Sequence, residues 1–198
     1  MTTPVVLVHG IWDSAARLDP LRAGLAARGI TRTTAFDLRP NDGSAPIPEL
    51  ASQLDAAVRA ALAGAGVERA DVVGFSMGAL VARWWIQRGG GRELVRRFVS
   101  ISGPHAGTHA ARALPLRGAR DMRPDSDLLR DLAGDADPWG EVEVHCLYTP
   151  YDLMIVPPRS SVLPGAKTTR AFPVKLHRWM LTDGGVLDAV AHALAPRP

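Results

Sequence analysis

Residues 70–85, ADVVGFSMGALVARWW, leave the backbone few choices. The apolar run from Asp71 to Phe75 has the length and β-branched content of a strand buried on both faces. Leu80, Val81, Trp84 and Trp85 then recur on one face of a helix that stops at Gly89-Gly90-Gly91. Between the two stands Gly74-Phe75-Ser76-Met77-Gly78. A handover this short forces the serine into a strained backbone conformation and requires small neighbours. It also lifts the hydroxyl clear of the sheet and aims a helix N-terminus, with its partial positive charge, at the same point. A glycine-bounded surface turn is the competing reading, and the strand and amphipathic helix on either side weigh against it.

The rest of the chain repeats the strand–helix alternation. Strands are expected at Val5 to Val8, Thr31 to Leu38, Phe98 to Ser102, Val142 to Tyr148 and Arg170 to Val174. Helical stripes run through Leu18, Leu21 and Leu25, through Leu50, Leu54, Val58 and Leu62, and through Val186, Leu187, Val190, Ala191 and Leu194. Alternation of this kind predicts one α/β domain over 1–198, with a mostly parallel central sheet flanked by helices. Ligand sites in such sheets lie at the carboxyl ends of the strands. Here those ends carry His9-Gly10, Ser76, Ser102-Gly103 and the Tyr151-Asp152 region. Residues 110–140 interrupt the pattern with Arg, Asp, Pro and Gly and one short helical candidate, Asp127 to Leu132. They read as a surface insertion, a candidate cap.

A serine is a weak nucleophile without a base, and the base needs an orienting acid. In a parallel α/β sheet with this turn the chain order is serine, acid, histidine. Asp152 follows the strand EVEVHCLY in the loop TPYD, at a strand's carboxyl end. Asp125, Asp127, Asp131, Asp135 and Asp137 precede that strand and read as solvated charges. Two histidines follow Asp152: His192 sits inside a helix pattern, whereas His177, in PVKLHRWML, falls where a loop should be. Ser76, Asp152 and His177 are therefore the expected catalytic set. The expected oxyanion donors are the backbone N–H groups of Met77 and Ile11, the latter in VLVHGIWDS, where Gly10 permits a close backbone approach. Trp12, Met154, Ile155, Val156 and Trp179 flank these segments and are candidates to line a substrate pocket. His9 reads as a brace for its loop and His145 as structural. His105 and His109 have an i, i+4 spacing, but Pro104 and Gly107 argue against a continuous helix and no third ligand is evident, so no metal is expected.

Composition narrows the partners. Net charge is only +3 and the arginines are scattered, with no aromatic-interleaved basic stripe, so no nucleic-acid partner is expected. The one cysteine, Cys146, excludes an internal disulfide and reads as a buried thiol. No apolar run reaches the ~18 residues of a membrane span, and MTTPVVLVHG lacks the basic and apolar regions of a signal peptide. A soluble, cytoplasmic protein is expected. A chain whose export signal had been removed would read the same way. Oligomeric state is left open.

PVVLVHGIW, VVGFSMGALVAR, SGPHAGT, YDLMIVPP and LHRWML occur in this order across nearly the whole chain. Together they resemble the small bacterial lipases and esterases of the α/β-hydrolase fold, and in particular the compact, minimal-lid bacillus-type triacylglycerol lipases. The resemblance implies the same roles for Ser76, Asp152, His177, Ile11 and Met77, a small-molecule ester or lipid substrate, and no cofactor. Phe75 stands where that family often has histidine, Ser102 or Gly103 where it often has threonine, and the insertion is longer than a minimal lipase requires. These departures bear on substrate range. The expected activity is carboxylic ester hydrolysis. An acyltransferase or thioesterase using the same residues, and a non-catalytic binding protein on the same fold, are the alternatives.

Overall fold

The computed structural model describes residues 3–195. Six strands, β1 (Val5–Val8), β2 (Thr33–Ala35), β3 (Ala70–Phe75), β4 (Val95–Ile101), β5 (Glu143–Tyr148) and β6 (Thr168–Ala171), form one sheet in the order β2-β1-β3-β4-β5-β6. Every pairing is parallel. The β1 and β3 runs are buried at every residue, because successive side chains point to opposite, equally covered faces. Val6, Val8 and Val72 join one core with α2 (Ile47–Ala65) and α3 (Met77–Arg88). Val5, Leu7, Val73 and Phe75 join the other with α1 (Asp19–Ala26) and α6 (Gly184–Leu194). The leucine and valine stripes read from the sequence are the buried faces of these helices.

Strand ends differ from the expected ones for local reasons. β2 stops at Ala35 because the N–H of Leu38 donates to His9 Nε2 (2.9 Å) instead of to the ladder. β4 starts three residues early, at Val95: Arg96 is drawn into the sheet by a two-pronged contact with buried Asp71 (3.0 and 2.6 Å). β6 closes at Ala171, after which Phe172 makes one last bond to Tyr148 O (2.8 Å) and Pro173 turns the chain away.

The insertion is more than a polar excursion. It holds a 3₁₀ turn, His109–Ala113, then α4 (Arg117–Asp121) and α5 (Asp127–Ala133). Ala119, Met122, Leu129 and Leu132 are buried. Asp121 Oδ2 accepts the N–H of Ile47 (2.8 Å), capping α2 from 74 residues away. Asp135, expected to be solvated, is largely buried and paired with Arg88 (2.7 Å) and Arg92 (3.2 Å), whereas Asp125, Asp127, Asp131 and Asp137 are exposed as expected. No helix among the described residues is long and apolar enough to cross a membrane.

Candidate active site

The turn between β3 and α3 places Ser76 at φ 55°, ψ −125°, in the left-handed half of backbone space, a conformation that costs a non-glycine residue of order 1–3 kcal/mol. Tight packing beneath explains the glycines. A Cβ on Gly78 would lie 2.4 Å from His9 O and 2.5 Å from Val8 O, and one on Gly10 would lie 3.0 Å from Ser76 Cβ. The β1 loop therefore rests directly against the elbow. His9 fixes that loop: its Nε2 accepts from Leu38, so Nδ1 carries the proton and donates to Gly10 O (2.8 Å). The N–H groups of Trp12 and Asp13 are used, by Asn41 O (2.7 Å) and Gly10 O (3.3 Å), while that of Ile11 is used in neither. Met77 opens α3, so its N–H has no acceptor within the helix.

Asp152 and His177, twenty-five residues apart in sequence, meet at the carboxyl ends of β5 and β6. His177 Nδ1 donates to Asp152 Oδ2 (2.7 Å), and Asp152 Oδ1 accepts the N–H groups of Met154 (2.9 Å) and Ile155 (3.0 Å). An ionised carboxylate only accepts, so the proton sits on Nδ1 and leaves a lone pair on Nε2. Nε2 is buried without a hydrogen-bond partner. The His177 ring stacks at a tilt on Phe75, the residue before the serine, with centroids 4.8 Å apart. In unliganded hydrolases the serine–histidine contact is often open and closes on substrate binding.

Ser76 opens into a small cleft of about 60 Å³ walled by Ile11, Trp12, Met154 and Ile155. The opposite wall is Pro104, Thr108, Ala110, Ala111, Leu114 and Met122. Two expected lining residues are elsewhere. Val156 points outward, its backbone held by Thr108 Oγ1 (2.9 Å) and by the N–H of His109 (2.9 Å). Trp179 lines a separate surface groove with Ala16, Arg17 and Pro20. Sequence reading missed the far wall, which comes from the insertion and the strap before it. It also missed Thr108, which donates to Met154 O (2.7 Å) and accepts from Val156, and so ties that wall to the loop carrying Asp152. The SGPHAGT motif was the available signal. Thr108→Val leaves three partly buried backbone groups, Met154 O and the N–H groups of Val156 and Ala110, without this partner, at about 1–3 kcal/mol. The melting temperature should drop by several degrees and kcat by up to about 10²-fold as the acid loop loses its register; thermal melts and steady-state kinetics measure both.

His145 and Cys146 are held in contacts away from this site. His145 bonds Thr168 and Glu143 (2.9 Å each), and burial pulls it down to about 4. Cys146 donates to Ser161 O (2.7 Å), and burial pushes its thiol up to about 11. His105 is buried against Ser100 while His109 opens the 3₁₀ turn, so the two do not share a helix face. Among the described residues no group of three or more His, Cys, Asp or Glu is placed to hold a metal.

A fully parallel sheet with a strained serine at the central strand–helix turn and a carboxylate–histidine pair on the following strands defines the α/β-hydrolase class. Within that class the chain belongs to the palmitoyl protein thioesterase family, whose model matches residues 4–151. The match covers the Ile11 segment and the elbow, and it ends just before Asp152. Solved structures agree on the fold. Lipase B of Aspergillus fumigatus is 17% identical with a TM-score of 0.82, over 98% of this chain and 52% of that one; the chain thus spans about half of that lipase. A Bacillus licheniformis lipase in its mature form is 15% identical with a TM-score of 0.81, over 98% and 91%. Phospholipase PlaB of Legionella pneumophila is 15% identical with a TM-score of 0.63, over 75% and 38%. No curated protein sequence matches the chain.

Proposed function

We propose that the protein is a serine hydrolase that cleaves carboxylic esters through an acyl-enzyme on Ser76. The observation that carries this reading is the serine held at φ 55° in an apolar cleft, next in sequence to Phe75, on whose ring packs a histidine with its Nδ1 fixed by Asp152. Ser76 Oγ attacks the ester carbonyl carbon as its proton passes to His177 Nε2, the nitrogen left with a lone pair. The N–H groups of Ile11 and Met77 receive the developing oxyanion; in comparable sites removing one such donor costs roughly 3 kcal/mol. His177 returns the proton to the departing alkoxide. Water, activated by the same nitrogen, then releases the acid from the acyl-enzyme. Asp152 keeps the imidazole in one tautomer throughout and stabilises the imidazolium.

The acyl chain suits the cleft walled by Trp12, Met154, Ile155, Leu114 and Met122. Trp12, Tyr151, Leu153, Met154, Val156, Leu176 and Trp179, on the segments that follow β1, β5 and β6, are all exposed, and they make up nearly all of the large exposed apolar side chains among the described residues. An apolar collar at the strands' carboxyl edge favours substrates with apolar acyl groups.

The family match favours a second reading, thioester hydrolysis, by the same steps with a thiolate leaving. A matched series of p-nitrophenyl esters and acyl thioesters from C2 to C16 separates the two. Ester hydrolysis predicts a kcat/KM for esters that exceeds that for thioesters of equal chain length; the reverse order selects the thioesterase. A fluorophosphonate probe should label the wild type and not Ser76→Ala. Equal labelling of both would remove Ser76 from the mechanism and leave a binding protein on a hydrolase fold.

A further inference from the structure

A second cavity is lined by residues of α3, the insertion, the segment 102–108 after β4 and the segment 162–164. It holds about 340 Å³, within the size range of small-ligand pockets. Most of its wall is apolar, from Leu129, Leu132, Pro138, Trp139 and Val162. Arg83, His105, Arg130 and Asp135 are the polar side chains of its lining, and the first two are almost fully buried: Arg83 is 5% exposed and His105 is 3% exposed.

Arg83 has no carboxylate partner. Its Nε donates to Gln87 Oε1 (2.7 Å) and its Nη1 to His105 O (2.7 Å), both neutral acceptors, and Nη2 makes no hydrogen bond among the described residues. Burial lowers its pKa to about 10, which still leaves it charged at neutral pH. A buried cation is ordinarily paired, since taking it from water is costly. The nearest acid, Asp135, is already held by Arg88, Arg92 and Gln87. Arg130, at the rim, is paired with Asp127. His105 contributes a second unmet group: Nε2 is hydrogen-bonded to Ser100 Oγ (2.6 Å), but Nδ1 is buried with no partner. The cavity therefore combines a buried guanidinium that no carboxylate hydrogen-bonds, an orphaned ring nitrogen and an apolar wall.

We propose that this cavity binds a small monocarboxylate with an apolar body, its carboxylate on Arg83 and His105 and its body against Leu129, Leu132 and Trp139. A bare inorganic anion would satisfy the charge and leave the apolar wall unused. A dicarboxylate would bring a second charge against that wall and towards Asp135. The site does not depend on Ser76 being a nucleophile.

Calorimetric titration with hexanoate and benzoate tests the site, with inorganic phosphate and hexylamine as controls. Both carboxylates should bind and both controls should not. Arg83→Met should weaken carboxylate binding about tenfold or more, the scale of losing one charge-assisted contact. Val162→Trp, which fills the cavity from its exposed rim and leaves Arg83 in place, should do the same if Arg83→Met does not fold. Ala110→Trp, which fills the mouth of the cleft at Ser76, should leave binding unchanged. The proposal is overturned by carboxylate binding that survives both cavity variants, by its loss in Ala110→Trp, by phosphate binding as tightly, or by no binding of either acid at millimolar concentration.

Discussion

Ser76→Ala should lower kcat by about 10⁵-fold or more with little change in KM, because the nucleophile of a serine hydrolase acts as a unit with its base and the residue left behind retains only binding and oxyanion stabilisation. The fold should not notice the change. Ser76 Oγ makes no hydrogen bond among the described residues, so its loss strands no partner, and alanine inherits the same φ of 55°. Glycine does not inherit the strain. Ser76→Gly should be equally inactive yet melt higher than both the wild type and Ser76→Ala, by a few degrees for about 1 kcal/mol of relieved strain. The pair of variants separates two properties of one position. Activity loss in both assigns the chemistry to the hydroxyl; a stability gain in glycine alone assigns the strain to the turn. Full activity in Ser76→Ala would end the serine mechanism, and a Ser76→Gly variant no more stable than the wild type would show that packing at the elbow outweighs its strain.

The elbow was legible because its determinants are local: a strand, two glycines and a helix within sixteen residues. The Asp152–His177 contact was legible for a different reason. Parallel topology sends every strand's carboxyl end to the same edge, so the chain order of the strands predicts which loops meet. The cleft was only half legible. Its near wall follows β1 and β5 and was expected, but sequence neighbourhood of a site residue is a poor guide to where a side chain points. Val156 is two residues beyond Met154 and faces solvent because its own N–H and C=O are committed to Thr108 and His109. Trp179 is two residues beyond His177 on a 3₁₀ turn and lies against α1's approach instead. The far wall left no periodic trace, because Ala111, Leu114 and Met122 come from short, irregular segments whose burial depends on distant partners. Asp135 was misread for the same reason: two arginines and a glutamine decide its surroundings, and none is its neighbour in sequence.

Asp152→Asn is the sharpest test of the proton path. The amide is nearly isosteric with the carboxylate, and its oxygen can still accept the N–H groups of Met154 and Ile155, so the loop should keep its shape and the melting temperature should move little. Its nitrogen, however, presents a donor to His177 Nδ1. The imidazole must then accept at Nδ1 and carry its proton on Nε2, the nitrogen that acts as base in the proposed mechanism. A protonated Nε2 cannot take the hydroxyl proton, and an amide cannot stabilise the imidazolium. On these grounds kcat should fall by about 10⁴-fold, close to the effect of losing the base itself. Asp152→Ala should be no less impaired and, in addition, less stable, since it orphans the buried N–H of Ile155 and the partly buried N–H of Met154. If Asp152→Asn instead stays within tenfold of the wild type while folded, Asp152 serves the loop and not the histidine. The acid would then have to be sought among groups that the structure places farther from His177, and Asp135, locked in its arginine cluster, is not available for the part.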